Sequence, residues 1–209
     1  WWGTLGFLPA EAPPEGHSPR RELIAAWRSP QTLLLGLMVL AFAAAEGSAN
    51  DWVALAMIDG YDVSHRVGVA CYAAFVLCMS VARFAGAKVI DRVGRQPVLI
   101  TSAALAGIGI VLTVFAGSFG LALVGIVLWG FGAALGFPLG ISIAADDETR
   151  AAARVSVVST LAYAAFLGFP PILGAVGDQF GTLRALLVVA VLMIPAAALA
   201  ATVARRRGV

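Results

Sequence analysis

The sequence predicts an all-α integral membrane protein crossing the bilayer with six helices. Three observations carry this. Of 209 residues, 60% are apolar and only 12% charged, where a soluble domain carries about a quarter charged residues. The apolar residues gather into six stretches, each near or above the ~20 residues that cross a hydrocarbon core of ~30 Å. A spanning backbone must satisfy its own polar groups, which makes the stretches helices. Third, the basic residues fall on alternate connections. Arg20, Arg21 and Arg28 precede the first stretch, Lys88, Arg92 and Arg95 follow the second, Arg150 and Arg154 follow the fourth, and Arg205, Arg206 and Arg207 close the chain. Only Arg66 and Arg184 lie on the opposite side. Positive loops stay inside, so both termini are expected in the cytoplasm.

Residues 1–29 read as a cytoplasmic linker after a preceding span. Residues 1–9 are apolar but too short to cross a membrane, and the opening Trp-Trp, with no Met, reads as a piece of a longer chain. Pro13, Pro14, Gly16 and Pro19 oppose a regular helix, after which residues 20–27 can form a short surface helix. Pro30 suits the first turn of the next helix. The spans then run at 31–58, 66–90, 97–116, 119–145, 154–177 and 183–204, within a domain of 30–204, and 205–209 form a basic tail. Connections this short make neighbouring spans antiparallel. The first span is interrupted by Glu46-Gly47-Ser48-Ala49-Asn50-Asp51, where Gly47 and Ser48 offer a weak point for a bend. The fifth is interrupted by Pro170-Pro171, and Pro170 removes a backbone donor and predicts a kink.

A faint internal repeat relates the two halves. Asp91-Arg92-Val93-Gly94 closes the second span and Asp178-Gln179-Phe180-Gly181 closes the fifth. The same Asp-x-x-Gly three spans apart falls on opposite membrane faces, the arrangement of two inverted three-helix repeats. With 23 glycines in the chain, coincidence is the competing reading.

Few residues could carry chemistry. Glu46 lies past the middle of the bilayer, where a carboxyl needs water, a partner or a cavity. It reads as a substrate or proton site, against a protonated or hydrogen-bonded packing residue. Asn50, four residues on, shares its face, and Asp51 and Trp52 lie further out, with interfacial anchoring as the other reading of Trp52. Arg83 can snorkel to the cytoplasmic surface, pair with a cavity acid, or brace the turn at Asp91; the brace is the expected role. Tyr72, Trp129, Tyr163, Ser156 and Ser159 could line a cavity or simply pack. Gly107, Gly109, Gly125, Gly130, Gly132 and Gly136 read as close helix packing, Cys71 and Cys78 as small buried residues, and Asp146, Asp147 and Glu148 as capping acids for the fifth span. The only histidines, His17 and His65, fall in the linker and an external turn. No His-Glu-x-x-His or Gly-x-Ser-x-Gly occurs, which argues against an intramembrane enzyme. No cofactor, metal or nucleic-acid partner is expected.

The turn after the second span narrows the class. Asp91, Arg92, Gly94 and Arg95 resemble the Asp-Arg-x-Gly-Arg signature loop of the major facilitator superfamily, departing from it at Ala87, where the family has glycine, and at Gln96, where it has a basic residue. The resemblance implies the C-terminal half, spans seven to twelve, of a twelve-helix secondary transporter, near the fucose-permease-like bacterial members. Glu46-Gly47 and Asp51-Trp52 in the seventh span, the 129–138 stretch in the tenth, and Tyr163 with the 168–174 break in the eleventh agree with that branch. It implies alternating access for a small solute in a bacterial inner membrane, with protons as candidate coupling ions and the N-terminal six-helix half as partner. Arg83, Asp91, Arg92, Gly94 and Arg95 would belong to the inner gate, Asp51 and Trp52 to the outer, and Pro170 and Pro171 to a hinge. The rival from another class is a six-span scaffold or receptor working as a dimer. The residues name no cargo.

Overall fold

A computed structural model describes residues 18–203. The apolar residues 1–9, the start of the linker with His17, and the basic tail lie outside them. The described chain is helical throughout, α1 (Pro19–Arg28) to α9 (Leu187–Val203), and six helical segments are long and apolar enough to span a membrane. They are α2 (Pro30–Tyr61), α3 (His65–Val93), α4 (Arg95–Phe115), α5 (Phe119–Ala133) continued by α6 (Gly136–Ala145), α7 (Ala151–Phe180), and α8 (Thr182–Ala185) continued by α9.

The most deeply buried span is α2, packed against α3, α6, α7 and α9. Its buried side chains point in all directions and run to small residues at 41, 43–45 and 47–49, as expected of a helix enclosed on every side. A Cβ on Gly47 would come within 2.7 Å of Phe166 Cδ1 on α7. Here the expected interruption does not occur. Gly47 and Ser48 are small because neighbours press on them, and the helix continues through them for 32 residues. At ~1.5 Å per residue this exceeds the hydrocarbon thickness, so α2 tilts or projects beyond it.

Tight joins elsewhere use the glycines as expected. On α5, a Cβ at Gly132 would run into Ala106 of α4 and stand 2.7 Å from the Ser102 carbonyl, and one at Gly125 would stand 2.6 Å from the Gly109 carbonyl. Their absence lets α4 and α5 touch along their backbones.

The fourth span, expected as one stretch, divides into α5 and α6 at Ala134 and Leu135. Pro138 explains the division. It has no N–H to give to the carbonyl four residues earlier, and its ring crowds that turn. In the fifth span α7 runs through Pro170 and Pro171 without interruption.

Candidate functional site

The break before Pro138 builds the centre of the site. The carbonyl that a residue at 138 would normally engage is that of Ala134, and it accepts instead from Arg83 Nε of α3 at 3.1 Å. The other end of the same guanidinium, Nη2, bonds Glu46 Oε2 at 2.8 Å. Glu46 stands at the midpoint of α2, so one arginine joins three helices. A planar fork with several fixed donors suits this double task better than an ammonium would. Glu46 is 16% exposed and Arg83 40%, so the pair is open on one side.

It opens into a cleft of about 680 Å³. Phe137 of α6 and Tyr163 and Phe166 of α7 form an aromatic wall, with ring centroids 6.4 Å apart from Phe137 to Tyr163 and again from Tyr163 to Phe166. Tyr163 is 60% exposed. Ser142 adds a hydroxyl, and Ile90 and Arg95 carry the lining to the turn after α3. The lining offers a face for an apolar ring or edge and, with it, one acid and two basic side chains to orient polar groups.

At that turn Arg95 Nη1 pairs with Asp146 Oδ2 at 2.7 Å, tying the start of α4 to the end of α6. Gly94 adopts φ 87°, ψ 164°, a conformation open essentially to glycine alone. Asp91 and Arg92 are exposed, with no hydrogen bond or ion pair among the described residues. The acids before α7 do not cap it: Arg150 holds the N-cap position, with no side-chain hydrogen bond to the helix. Asp146 ends α6. Asp147 accepts from the Thr149 hydroxyl at 2.7 Å and lies 3.8 Å from Arg154. The Thr149 hydroxyl, ahead of the nearby Arg154 and Arg150 charges, holds the Asp147 carboxyl below the usual carboxylate range.

Of the residues singled out from sequence, the cleft gathers Glu46, Arg83, Tyr163 and Arg95. Arg83 faces Glu46 and the Ala134 carbonyl, not the turn at Asp91 that it was expected to brace. Asn50 and Tyr72 bond each other at 3.3 Å one turn outward of Glu46, outside the lining. Asp51 is exposed. Trp52 lies half-buried, its ring edge 3.7 Å from where a Cβ on Gly174 would stand, and its indole nitrogen has no partner. Trp129 is not a cleft residue: it is fully buried, edge-on to Phe75 with centroids 5.5 Å apart. An aromatic on a spanning helix looks the same from sequence whether it faces a cavity or a neighbour. Phe137, Ser142, Phe166 and the Ala134 carbonyl were missed. Phe166 could have been found from Tyr163, three residues before it on the same helical face. The carbonyl could have been found by counting four back from Pro138.

Comparison with known proteins bears on the fold. Residues 35–208 match the sequence profile of the Major Facilitator Superfamily. Membrane protein MosC of Rhizobium meliloti is 33% identical over 180 residues, 85% of this chain and 44% of that protein. An uncharacterised MFS-type transporter of Yersinia pestis is 30% identical over 175 residues, 83% of this chain and 45% of that one. Among solved structures, the transporter FucP in its outward conformation superposes with a TM-score of 0.77 at 16% identity, over 89% of this chain and 45% of its own. The chain thus spans about half the length of the relatives it matches. A match across most of the chain, on a six-span helical fold, establishes the family: the chain belongs to the major facilitator superfamily of membrane transporters.

Proposed function

We propose that this chain is the C-terminal half, spans seven to twelve, of a secondary transporter that carries a small solute across a bacterial inner membrane by alternating access. The observation that carries the reading is the Glu46–Arg83 pair at mid-membrane, open to a cleft with an aromatic wall. A charged pair at that depth is costly unless it serves a pathway or a partner. The cargo it suits has one apolar face and at least one charged or hydroxyl group. Residues 30–204 form the transporter half, with both termini cytoplasmic by the distribution of basic residues.

The other six helices would cover α3 and α7, the least buried spans, where Phe84 is 89% and Leu167 80% exposed. The inner gate would be the turn after α3, with Arg95 held by Asp146 and Asp91 free to meet the other half. Pro170 and Pro171 are the hinge candidates in α7, and Asp51 and Trp52 the outer-gate candidates. Protons are the candidate coupling ions, through Glu46.

The test is transport by the full-length protein in vesicles, using a cargo found by thermal-shift screening of small polar solutes. Arg83→Gln should abolish uptake, and Glu46→Gln should uncouple uptake from pH change inside the vesicle. Undiminished uptake by Arg83→Gln overturns the site, and undiminished coupling in Glu46→Gln removes the acid from the proton path.

A further inference from the structure

The helix ahead of the first span has a use that membership of the family does not supply. α1 is joined to α2 through Ser29 alone. Ser29 is extended, and its hydroxyl accepts from the Thr32 N–H at 3.4 Å. On its inner side Ala26 is buried with Ala153 and Val157 of α7, flanked by Leu33 and Leu161. Four crossings separate the starts of α2 and α7, so both begin at the same membrane face. A helix held to both starts lies along that face.

Its outer side is patterned for that position. Leu23, Ile24 and Trp27 share one stripe by their spacing of one, three and four residues. They are 37%, 43% and 39% exposed, an unusual share for a helix of 10 residues in contact with water alone. Arg20 sits a turn ahead of the stripe, and Arg21, Ile24 and Arg28 form its edge at i, i+3 and i+7. No ion pair among the described residues engages Arg20, Arg21 or Arg28. The single acid, Glu22, is four residues from Ala26 and so lies on the protein side. An apolar stripe with a tryptophan and a basic border is the pattern of a helix lying in the bilayer interface, and unpaired arginines there meet the phosphates of anionic lipids.

We propose that α1 is an interfacial lipid-binding helix, with Leu23, Ile24 and Trp27 seated at the acyl boundary and Arg20, Arg21 and Arg28 holding anionic phospholipid headgroups. The proposal rests on the membrane-spanning fold and not on the cargo site, so it stands or falls separately from the transport reading.

The test uses the full-length protein in nanodiscs of phosphatidylcholine and of an equimolar mixture with phosphatidylglycerol. Wild type should unfold at higher temperature in the mixture, and lipid competition should show phosphatidylglycerol preferred. Each arginine changed to glutamine should lower that preference about fivefold. The triple Arg→Lys variant should keep most of it, which separates charge from a folding defect. A spin label at Trp27→Cys, with Cys71→Ala and Cys78→Ala, should be relaxed by membrane-dissolved oxygen more than by a water-soluble nickel complex. Equal stability in both lipids, or an unchanged preference in the triple glutamine variant, overturns the proposal. So does a label sealed from both relaxants, which would mean that another protein segment covers this face.

Discussion

Arg83 bridges an acid and a carbonyl that owes its freedom to Pro138, and the three groups can be perturbed separately. Exposed ion pairs are worth about 0.2–1 kcal/mol, whereas breaking a fully buried one costs about 3–5 kcal/mol. With Arg83 40% and Glu46 16% exposed, a coupling of about 1–2 kcal/mol between them is expected. Arg83→Ala also strips the Ala134 carbonyl of a charged donor, a further loss of about 1.5–3 kcal/mol. The single variant should therefore lose about 2.5–5 kcal/mol, or roughly 5–20 °C in Tm for a domain of this size. Pro138→Ala supplies the missing N–H. In the Arg83→Ala background it should recover about 1 kcal/mol, the net worth of one backbone hydrogen bond. In wild type it should give no such gain, because the carbonyl is already satisfied. The assay is thermal unfolding of the purified chain in one detergent, for wild type, each single variant and the double. If Pro138→Ala shifts Tm equally in both backgrounds, the carbonyl does not link Pro138 to Arg83, and the account of the site's assembly is wrong.

The other predictions concern the packing, the turns and the wall. Gly132→Val should prevent α4 from closing on α5 and cost about 3 kcal/mol or more, read as loss of monodisperse protein by size-exclusion chromatography. Gly94→Ala places a side chain at φ 87° and should cost about 1–3 kcal/mol in the same unfolding assay. The Asp147 carboxyl is depressed in the folded chain, so its contribution to stability is present above the ordinary aspartate pKa of about 3.9 and is lost as pH falls below it. Asp147→Asn should therefore lower stability at neutral pH, by no more than about 1 kcal/mol, and the gap to wild type in a plot of Tm against pH should close as the pH falls below that value. Tyr163→Ala should weaken binding of the identified cargo about tenfold by isothermal titration, with little change in Tm because the ring is 60% exposed.

The fold was legible because the bilayer imposes length and apolarity directly on the sequence, and the ends of α3 and α4 fall within a few residues of the apolar limits. What was not legible depended on neighbours. Gly47 and Ser48 look like a weak point in isolation, and only Phe166 against Gly47, with Ser48 buried beside it, shows why small residues stand there. Glu46 and Arg83 were each visible as a lone charge in an apolar span. Pairing with a cavity acid was one of three readings open for Arg83, but the choice among them was not legible, because the pair joins residues 37 apart through the relative rotation of α2 and α3. Trp129 stayed open between the cavity and the core for want of the same information. Asp146 was read as a helix cap, although its partner, Arg95, is a residue of the signature loop.

The faint repeat acquires physical content from the backbone. Asp91 and Asp178 are both exposed and make no matching side-chain contact. The glycines three residues later do match. Gly94 has φ 87°, ψ 164° and Gly181 has φ 89°, ψ 146°. Each donates its N–H to the carbonyl four residues back at 2.8 Å, from Gly94 to Ile90 and from Gly181 to Gly177. In both places the next helix starts at the following residue, Arg95 in one case and Thr182 in the other. Each joint is thus a one-residue reversal between antiparallel spans, possible only where a residue without Cβ can enter that conformation. Coincidence among many glycines explains a repeated letter, but not two letters that share dihedral angles, a hydrogen bond and a position between the second and third spans of each half. The spans beside the two joints then follow the same logic. α3 and α7, which lead into them, are the two spans left least covered. Their exposed faces are therefore equivalent surfaces of two repeats, each ending at a glycine turn of the same geometry.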